Sequence, residues 1–411
     1  MCADPTVLLL DGDYPTALTV AKELSEDLSV TIVGVGTTRY SRLLRSRYCD
    51  ERIIAPPPES EGYADALESA VQTYRPDFVL PVGYQSTVAI DRLRSTLPSS
   101  VSTSLPSSES LRTGADKSAV LDRAARLGID VPAEYSSVVE RIDANGRPRG
   151  ALDQLNFPVF LKARHESGGG ETTARVDDPA RFWRTYDRIA AVAPGGDVLV
   201  QELIEGTGST YGVGVLCSDN DVVLRFSHEE LRSVPRWGGS GTHLRTYRNP
   251  SLEAQATDLL QDLGWHGIAL VEFKRRPNGS FVLMEVNPKF WASYALASER
   301  GYRFASTMVA SALDLDVDLP VRTIGTVDEM VFPLRELQYC VRQPTRNEIS
   351  TALRTVLTPG AKWSLDWTDP VAWLMPPVAA MERVPDVEAR LEAAVESVTG
   401  RRSRNAGEDR R

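Results

Sequence analysis

Residues 267–291 read GIALVEFKRRPNGSFVLMEVNPKFW, two apolar runs on either side of Asn278-Gly279. That dipeptide is a strong signal for a tight β-hairpin. A two-residue turn makes paired positions sum to 557, which sets Glu272 opposite Glu285. Alternation along the strand then puts Asn287 on the same face as Glu285, and a one-residue slip would destroy the arrangement. Opposed carboxylates repel, and burying them without a partner costs free energy. A solvated strand face would remove the conflict, but Ile268, Ala269, Leu270, Val271, Phe273, Val282, Leu283 and Val286 argue against exposure. A cation removes it too. Two carboxylates and an amide oxygen form a hard oxygen shell suited to Mg²⁺ or Mn²⁺, with phosphates and water completing it.

The first hundred residues alternate strand-like and helix-like runs. Val7–Leu10, Val30–Val35, Ile53–Ile54 and Phe78–Val82 read as strands, with helices over Thr16–Leu24 and Ala64–Tyr74. This alternation predicts a parallel sheet with helices on both faces and ligands at the strand C-terminal ends. The first turn, Asp11-Gly-Asp-Tyr-Pro15, lacks the paired glycines of a dinucleotide site. Residues 95–114 are Ser-rich and carry Pro98 and Pro106, which reads as a linker or irregular crossing segment.

Further helices are expected from about Asp116 to Leu127, over Arg181–Val192 and over Leu252–Leu263. Strands are expected over Phe157–Ala163 and Val198–Ile204, and near 211–217 and 222–227. Residues 228–245 read as a long loop joining two strand regions. Beyond about 326, Ile349 to Leu357 and Val387 to Val398 fit short helices, and 401–411 a frayed polar tail.

A length of 411 residues predicts two or three domains. The net charge of −10 argues against broad nucleic-acid binding. No apolar stretch is long enough to span a bilayer, no signal peptide is visible, and four dispersed cysteines suggest no disulfide framework. The expectation is a cytoplasmic protein without nucleic-acid or membrane partners. Of the 46 basic residues only six are Lys, and Lys117, Lys162, Lys274 and Lys289 all fall in segments that carry chemistry. Lys117 opens a helix and Lys162 ends a strand, where an ammonium can meet phosphate as a point charge. Gly168, Gly169 and Gly170 follow, and their backbone N–H groups can approach phosphate closely. The spacing is not that of a P-loop. Gln201-Glu-Leu-Ile-Glu-Gly206 offers a strand edge for a flat ring and acids for hydroxyls. Taken singly, these lysines read as surface charges and these short runs as ordinary turns.

In order, Asp116-Lys117, Pro158-Val-Phe-Leu-Lys162, the glycine loop, Val200–Gly206, Val271-Glu272-Phe273 and Met284-Glu-Val-Asn-Pro-Lys289 make the chain resemble the ATP-grasp superfamily. Within it the chain looks most like the carboligase, or carboxylate–amine ligase, branch, similar in core to carbamoyl-phosphate synthase and biotin carboxylase domains. The resemblance implies an α/β and α+β architecture. A Rossmann-like pre-ATP-grasp domain would span 1–112 and a two-lobed ATP-grasp domain 113–325. The small lid lobe would cover about 130–205, the metal-binding lobe about 206–325, and a helical extension 326–411.

It further implies ATP and Mg²⁺ (or Mn²⁺) as cofactors. Lys117 and Lys162 would contact ATP phosphates, and Gly168–Gly170 would form a mobile lid. Gln201, Glu202 and Ile204 would line the adenine, Glu205 the ribose. Glu272, Glu285 and Asn287 would hold the metal. Many relatives carry Arg where this chain has Lys289, which can neutralise a phosphoryl group but cannot anchor it bidentately.

The family reaction phosphorylates a substrate carboxylate, and an amine attacks the acyl phosphate. Small-molecule carboxylate and amine partners follow, with a homodimer left open. Arg232, Arg236 and Arg245 are candidates for the substrate carboxylate or the transferring phosphate, and His228 for the amine's proton; Gly238, Gly239 and Gly241 would permit closure. Two alternatives remain at this stage, a bicarbonate-using carboxylase or carbamoyl-forming enzyme and a catalytically weak ATP-binding regulator.

Overall fold

The computed structural model describes residues 4–148, 150–165, 172–205, 209–234, 239–317, 319 and 328–375. The N-terminal part contains β1 (Thr6–Leu9), α1 (Pro15–Asp27), β2 (Thr31–Gly36), β3 (Glu51–Ile54), α2 (Tyr63–Tyr74), β4 (Phe78–Leu80) and α3 (Tyr84–Leu93). Its four strands are parallel in the order β3-β2-β1-β4. Leu8, Leu10, Val33, Val79 and Leu67 pack on one face, and Val7, Leu9, Ala17, Val20 and Phe78 on the other. This double burial is why the strands read as continuous apolar runs.

The Ser-rich stretch expected to be a linker contains a helix, α4 (Ser108–Ala115). Ser107 caps it by accepting from the Ser110 N–H, and Gly114 lies against the buried Trp265 ring. Serine here stops an orphan donor rather than breaking structure. After α5 (Lys117–Arg126) and α6 (Ser136–Ala144), an antiparallel sheet is built from β5 (Val159–Ala163), β6 (Thr173–Val176) and β7 (Val198–Glu202), in the order β6-β5-β7 and with α7 (Pro179–Ala190) packed on it.

The third sheet carries β8 (Thr210–Ser218), β9 (Asp221–Val234), β10 (Ser240–Thr246), β11 (Gly267–Arg275) and β12 (Phe281–Asn287), with α8 (Pro250–Asp262) between β10 and β11. Segment 228–245 is therefore no long loop. β9 continues to Val234 and pairs with β10 in a hairpin. Its charged residues stay in the strand because they are matched across it. Glu229 accepts from the Tyr211 hydroxyl and pairs with Arg245.

Next come α9 (Tyr294–Glu299), α10 (Phe304–Ala312), β13 (Glu329–Val331), α11 (Pro333–Arg342), α12 (Arg346–Val356) and β14 (Lys362–Trp363). β13 and β14 extend the third sheet, whose order is β12-β11-β8-β9-β10-β13-β14. The helix expected over 387–398 and the polar tail lie outside the described residues. α1 fastens the first sheet to the helices behind the third. The buried Glu23 carboxylate on α1 accepts hydrogen bonds from the Tyr294 hydroxyl (2.6 Å), the Ser298 hydroxyl (2.6 Å) and the N–H groups of Ala305 (2.9 Å) and Ser306 (3.1 Å). Among the described residues no helix is long and apolar enough to cross a membrane.

Candidate active site

The β11–β12 hairpin places Glu272 opposite Glu285, Val271 opposite Val286 and Leu270 opposite Asn287. It does so by a route other than the expected two-residue turn. Gly279 donates to the Arg276 carbonyl and Arg276 to the Ser280 carbonyl, closing a turn in which Gly279 takes φ +93°. That left-handed position suits glycine. The longer turn pairs Phe273 with Leu283, so the sum at this end is 556. A bulge at Met284 inserts one residue and restores 557 at Glu285. The Met284 carbonyl accepts from Lys162 Nζ at 2.9 Å.

Across the sheet, Glu285, Glu272, Gly212 and His228 form one register row. Asn287 Nδ2 donates to Glu272 Oε2 at 2.6 Å and to Glu285 Oε1 at 3.2 Å. Burial, then repulsion by Glu285 and by Glu230, holds the Glu272 carboxyl well above the usual carboxylate range. Such excess negative potential is what a hard cation offsets, and the donors are oxygens with one amide that can present its oxygen by a half-turn. The donor set therefore fits Mg²⁺ or Mn²⁺. Among the described residues no three His, Cys, Asp or Glu side chains group as a metal site, because the third donor is an amide.

Two lysines face this cluster. Lys117 Nζ is 3.6 Å from Glu285 Oε2. Lys162 is 3% exposed, and burial lowers its pKa to about 8, against the attraction of Glu285 and Glu272. Lys117 starts α5 because Asp116 caps that helix, accepting from the N–H groups of Ser118 and Ala119. Asp116 is also gripped by Arg164, through Nε at 2.9 Å and Nη2 at 2.8 Å, and the Lys117 N–H donates to the Arg164 carbonyl. These bonds join α5 to the end of β5, so both lysines reach the cluster from tied elements.

Gln201 on β7 is fully buried, with no hydrogen-bond partner for its side-chain oxygen or nitrogen among the described residues. The Glu202 N–H is donated to the Ala133 carbonyl, and its carboxylate pairs with Arg276. Ile204 is buried, while Glu205 is exposed and 3.6 Å from Arg175. Gly168, Gly169 and Gly170 lie outside the described residues, as do Arg236 and Gly238.

The remaining candidates separate. His228 is buried, stacked between Phe226 and Trp291, and burial lowers its pKa to about 4. At neutral pH it is an uncharged ring, which makes it a weak base. Gly212 beneath its ring and Gly214 beneath Trp291 leave no room for a Cβ. Arg232 is held by Glu336 (2.7 and 3.1 Å) and Glu348 (3.0 Å), so its guanidinium ties β9 to α11 and α12. Arg245 is paired with Glu229. Lys289 is half-buried in the turn after Asn287, next to the end of β4.

On the Glu272 side of the sheet, Glu230 and Arg335 escaped sequence reasoning, and Lys274, singled out in the sequence only as part of the hairpin, joins them. Glu230 is half-buried, accepts from the Ser233 hydroxyl and lies near Glu272. Lys274 donates to the Thr210 hydroxyl at 2.7 Å. Arg335 from α11 donates to the Gly241 and Ala292 carbonyls at 2.8 and 2.6 Å. Strand alternation from Glu272 puts Lys274 on the same face. Nothing in the sequence pointed to Arg335.

Residues 116–319 match the family model for the carbamoyl-phosphate synthase L chain, ATP binding domain. That segment belongs to the ATP-grasp superfamily. The ATP-grasp match begins at the Asp116 cap and includes both lysines and the hairpin. The mitochondrial acetyl-CoA carboxylase of Saccharomyces cerevisiae is 21% identical over 219 residues, covering 50% of this chain and 9% of that protein. The chain thus aligns to under a tenth of the length of the curated relatives it matches. Biotin carboxylase from Campylobacter jejuni superposes with TM-score 0.63 at 17% identity, covering 77% of this chain and 72% of the other. The N5-carboxyaminoimidazole synthetase of Staphylococcus aureus, solved with ADP, gives 0.63 at 14% identity, covering 82% and 86%. These likenesses carry the ATP-grasp fold.

Proposed function

We propose that the chain is an ADP-forming ligase that uses ATP to activate a small-molecule carboxylate as an acyl phosphate for attack by an amine. The observation that carries this reading is Glu272, Glu285 and Asn287 converging on one face within reach of Lys117 and Lys162. Phosphoryl transfer needs positioning and charge neutralisation more than a covalent nucleophile. Glu272, Glu285 and Asn287 would hold Mg²⁺ (or Mn²⁺). Bound there, the metal supplies positive charge to the triphosphate.

Lys117 and Lys162 neutralise phosphate oxygens from the opposite side. Gln201, the Glu202 carbonyl and Ile204 border the adenine, Glu205 meets the ribose, and Gly168–Gly170 close over the nucleotide. Lys289 faces the transferring phosphoryl group. Arg236 remains a candidate for the substrate carboxylate. Arg232 organises the sheet through Glu336, and a neutral His228 shapes the floor with Trp291.

The four parallel strands support a Rossmann-like pre-ATP-grasp domain over 1–112. The β6-β5-β7 sheet supports a lid lobe over about 130–205, next to a metal-binding lobe over about 206–325. The extension begins near 326. ADP release from Mg·ATP across paired carboxylates and amines tests the reading. Release with bicarbonate alone, independent of any amine, would overturn it, as would ATP binding without turnover.

A further inference from the structure

A cavity of about 260 Å³ opens at the C-terminal ends of β1, β2 and β3. That is the end of a parallel sheet where ligands sit. It is smaller than the roughly 300–1,000 Å³ pockets of drug-sized ligands, so its occupant is small. Asp11, Asp13, Glu59, Tyr14 and Tyr63 line it, with the Pro56–Pro58 run as an apolar wall. Its lining contains no Lys, Arg or His.

The floor is built rather than incidental. Asp11 is 9% exposed. The N–H groups of Val82 (2.9 Å) and Gly83 (2.7 Å) and the Ser86 hydroxyl all donate to its Oδ2. Oδ1 of this nine-tenths buried carboxylate receives no hydrogen bond among the described residues. Asp13 beside it is fixed by the Thr37 N–H (2.9 Å) and the Ser41 hydroxyl (2.7 Å). Tyr63 is buried and Tyr14 half-exposed, so aromatic surface stands beside the acids. Carboxylates next to aromatic rings attract organic cations and repel phosphate.

The helix that begins beside the cavity touches the segment after β12. Thr16, two residues beyond Tyr14, donates to the Trp291 carbonyl at 3.4 Å, and Trp291 stacks on His228 in the loop that follows Asn287.

We propose that this cavity binds a small, unphosphorylated primary ammonium on an apolar or aromatic body, as the amine partner of the ligation. Its role as nucleophile rests on the ligase reading; its binding does not. The test titrates the full chain at low salt with phenethylamine, using 2-phenylethanol and 3-phenylpropionate as neutral and anionic shape controls, and reads affinity by calorimetry or ligand-observed NMR. The expected result is saturable phenethylamine binding, with both controls at least about fivefold weaker. Glu59 is exposed, so Glu59→Gln should keep its melting temperature while weakening phenethylamine about fivefold and leaving 2-phenylethanol unchanged. Equal affinity for the cation and the alcohol, no saturable phenethylamine binding, or wild-type affinity in Glu59→Gln overturns the proposal. Selective binding without amine-dependent ADP release keeps the cavity's ligand class and overturns the ligase reading. Amine-dependent ADP release whose amine KM is untouched by Glu59→Gln does the reverse.

Discussion

Lys162 Nζ lies 2.9 Å from the carbonyl oxygen of Met284, the residue that the bulge in β12 withdraws from the ladder. The ammonium costs the fold something, because burial lowers its pKa to about 8 from 10.5. The sign follows from that direction. The penalty is fully present below about pH 8 and disappears above the unfolded value. Lys162→Met should therefore be as stable as the wild type at pH 7, or more so by about 1–3 kcal/mol. Its nucleotide affinity should fall by roughly tenfold or more, since a lost charge-assisted hydrogen bond is worth about 1.5–3 kcal/mol. Chemical denaturation and calorimetry with ATP measure the two effects; wild-type ATP affinity would remove Lys162 from the site.

Glu285→Ala and Asn287→Ala should each lower Mg·ATP turnover by at least about a hundredfold, the scale of losing one electrostatic group at a reacting centre. Both side chains lie on the face of β12 that carries the cluster, so circular dichroism and the melting temperature should change little. Full activity in either variant would sink the metal assignment.

Glu23 predicts a pH dependence of stability. Burial raises its pKa from 4.5 to about 7, despite four hydrogen bonds to the carboxylate. A raised acid pKa means the fold prefers the protonated form. Its contribution is complete below pH 4.5 and is lost as pH rises through about 7, a change on the order of 3 kcal/mol. In Glu23→Gln the slope of unfolding free energy between pH 5 and 7 should flatten, as read by denaturant titrations at several pH values. An unchanged slope would place the titration elsewhere.

Glu336→Ala leaves Arg232 with only Glu348 of its two carboxylate partners, and Glu336 is 1% exposed. Removing one side of a buried pair should cost about 3–5 kcal/mol. The double variant Arg232→Met/Glu336→Leu should recover much of that loss. A double-mutant cycle with no coupling would show that the pair does not fasten the extension to the sheet.

The pairing of Glu272 with Glu285 was legible from Asn278-Gly279 and strand alternation, yet the expected register hid two departures that cancel. A longer turn shifts the sum by one, and the Met284 bulge shifts it back. Bulges are stabilised by what lies across from them, here Lys162, more than a hundred residues away. α4 was missed because serines do double duty as breakers and caps, and Ser107 is a cap. The charged half of β9 read as loop because its partners, Tyr211, Arg245 and Glu336, come from other elements. The parallel strands were plain because burial on both faces leaves a continuous apolar run.

The family model ends at residue 319, but the sheet it contributes to does not. β13 continues that sheet by pairing with His243, Leu244 and Arg245 of β10, and Glu336 supplies a counter-charge for Arg232. A protein cut to the matched segment would present β10 as an open edge with unpaired backbone groups, the kind of surface that recruits foreign strands. The homologous module and the folding unit therefore have different borders, and a soluble minimal fragment must be cut by the second.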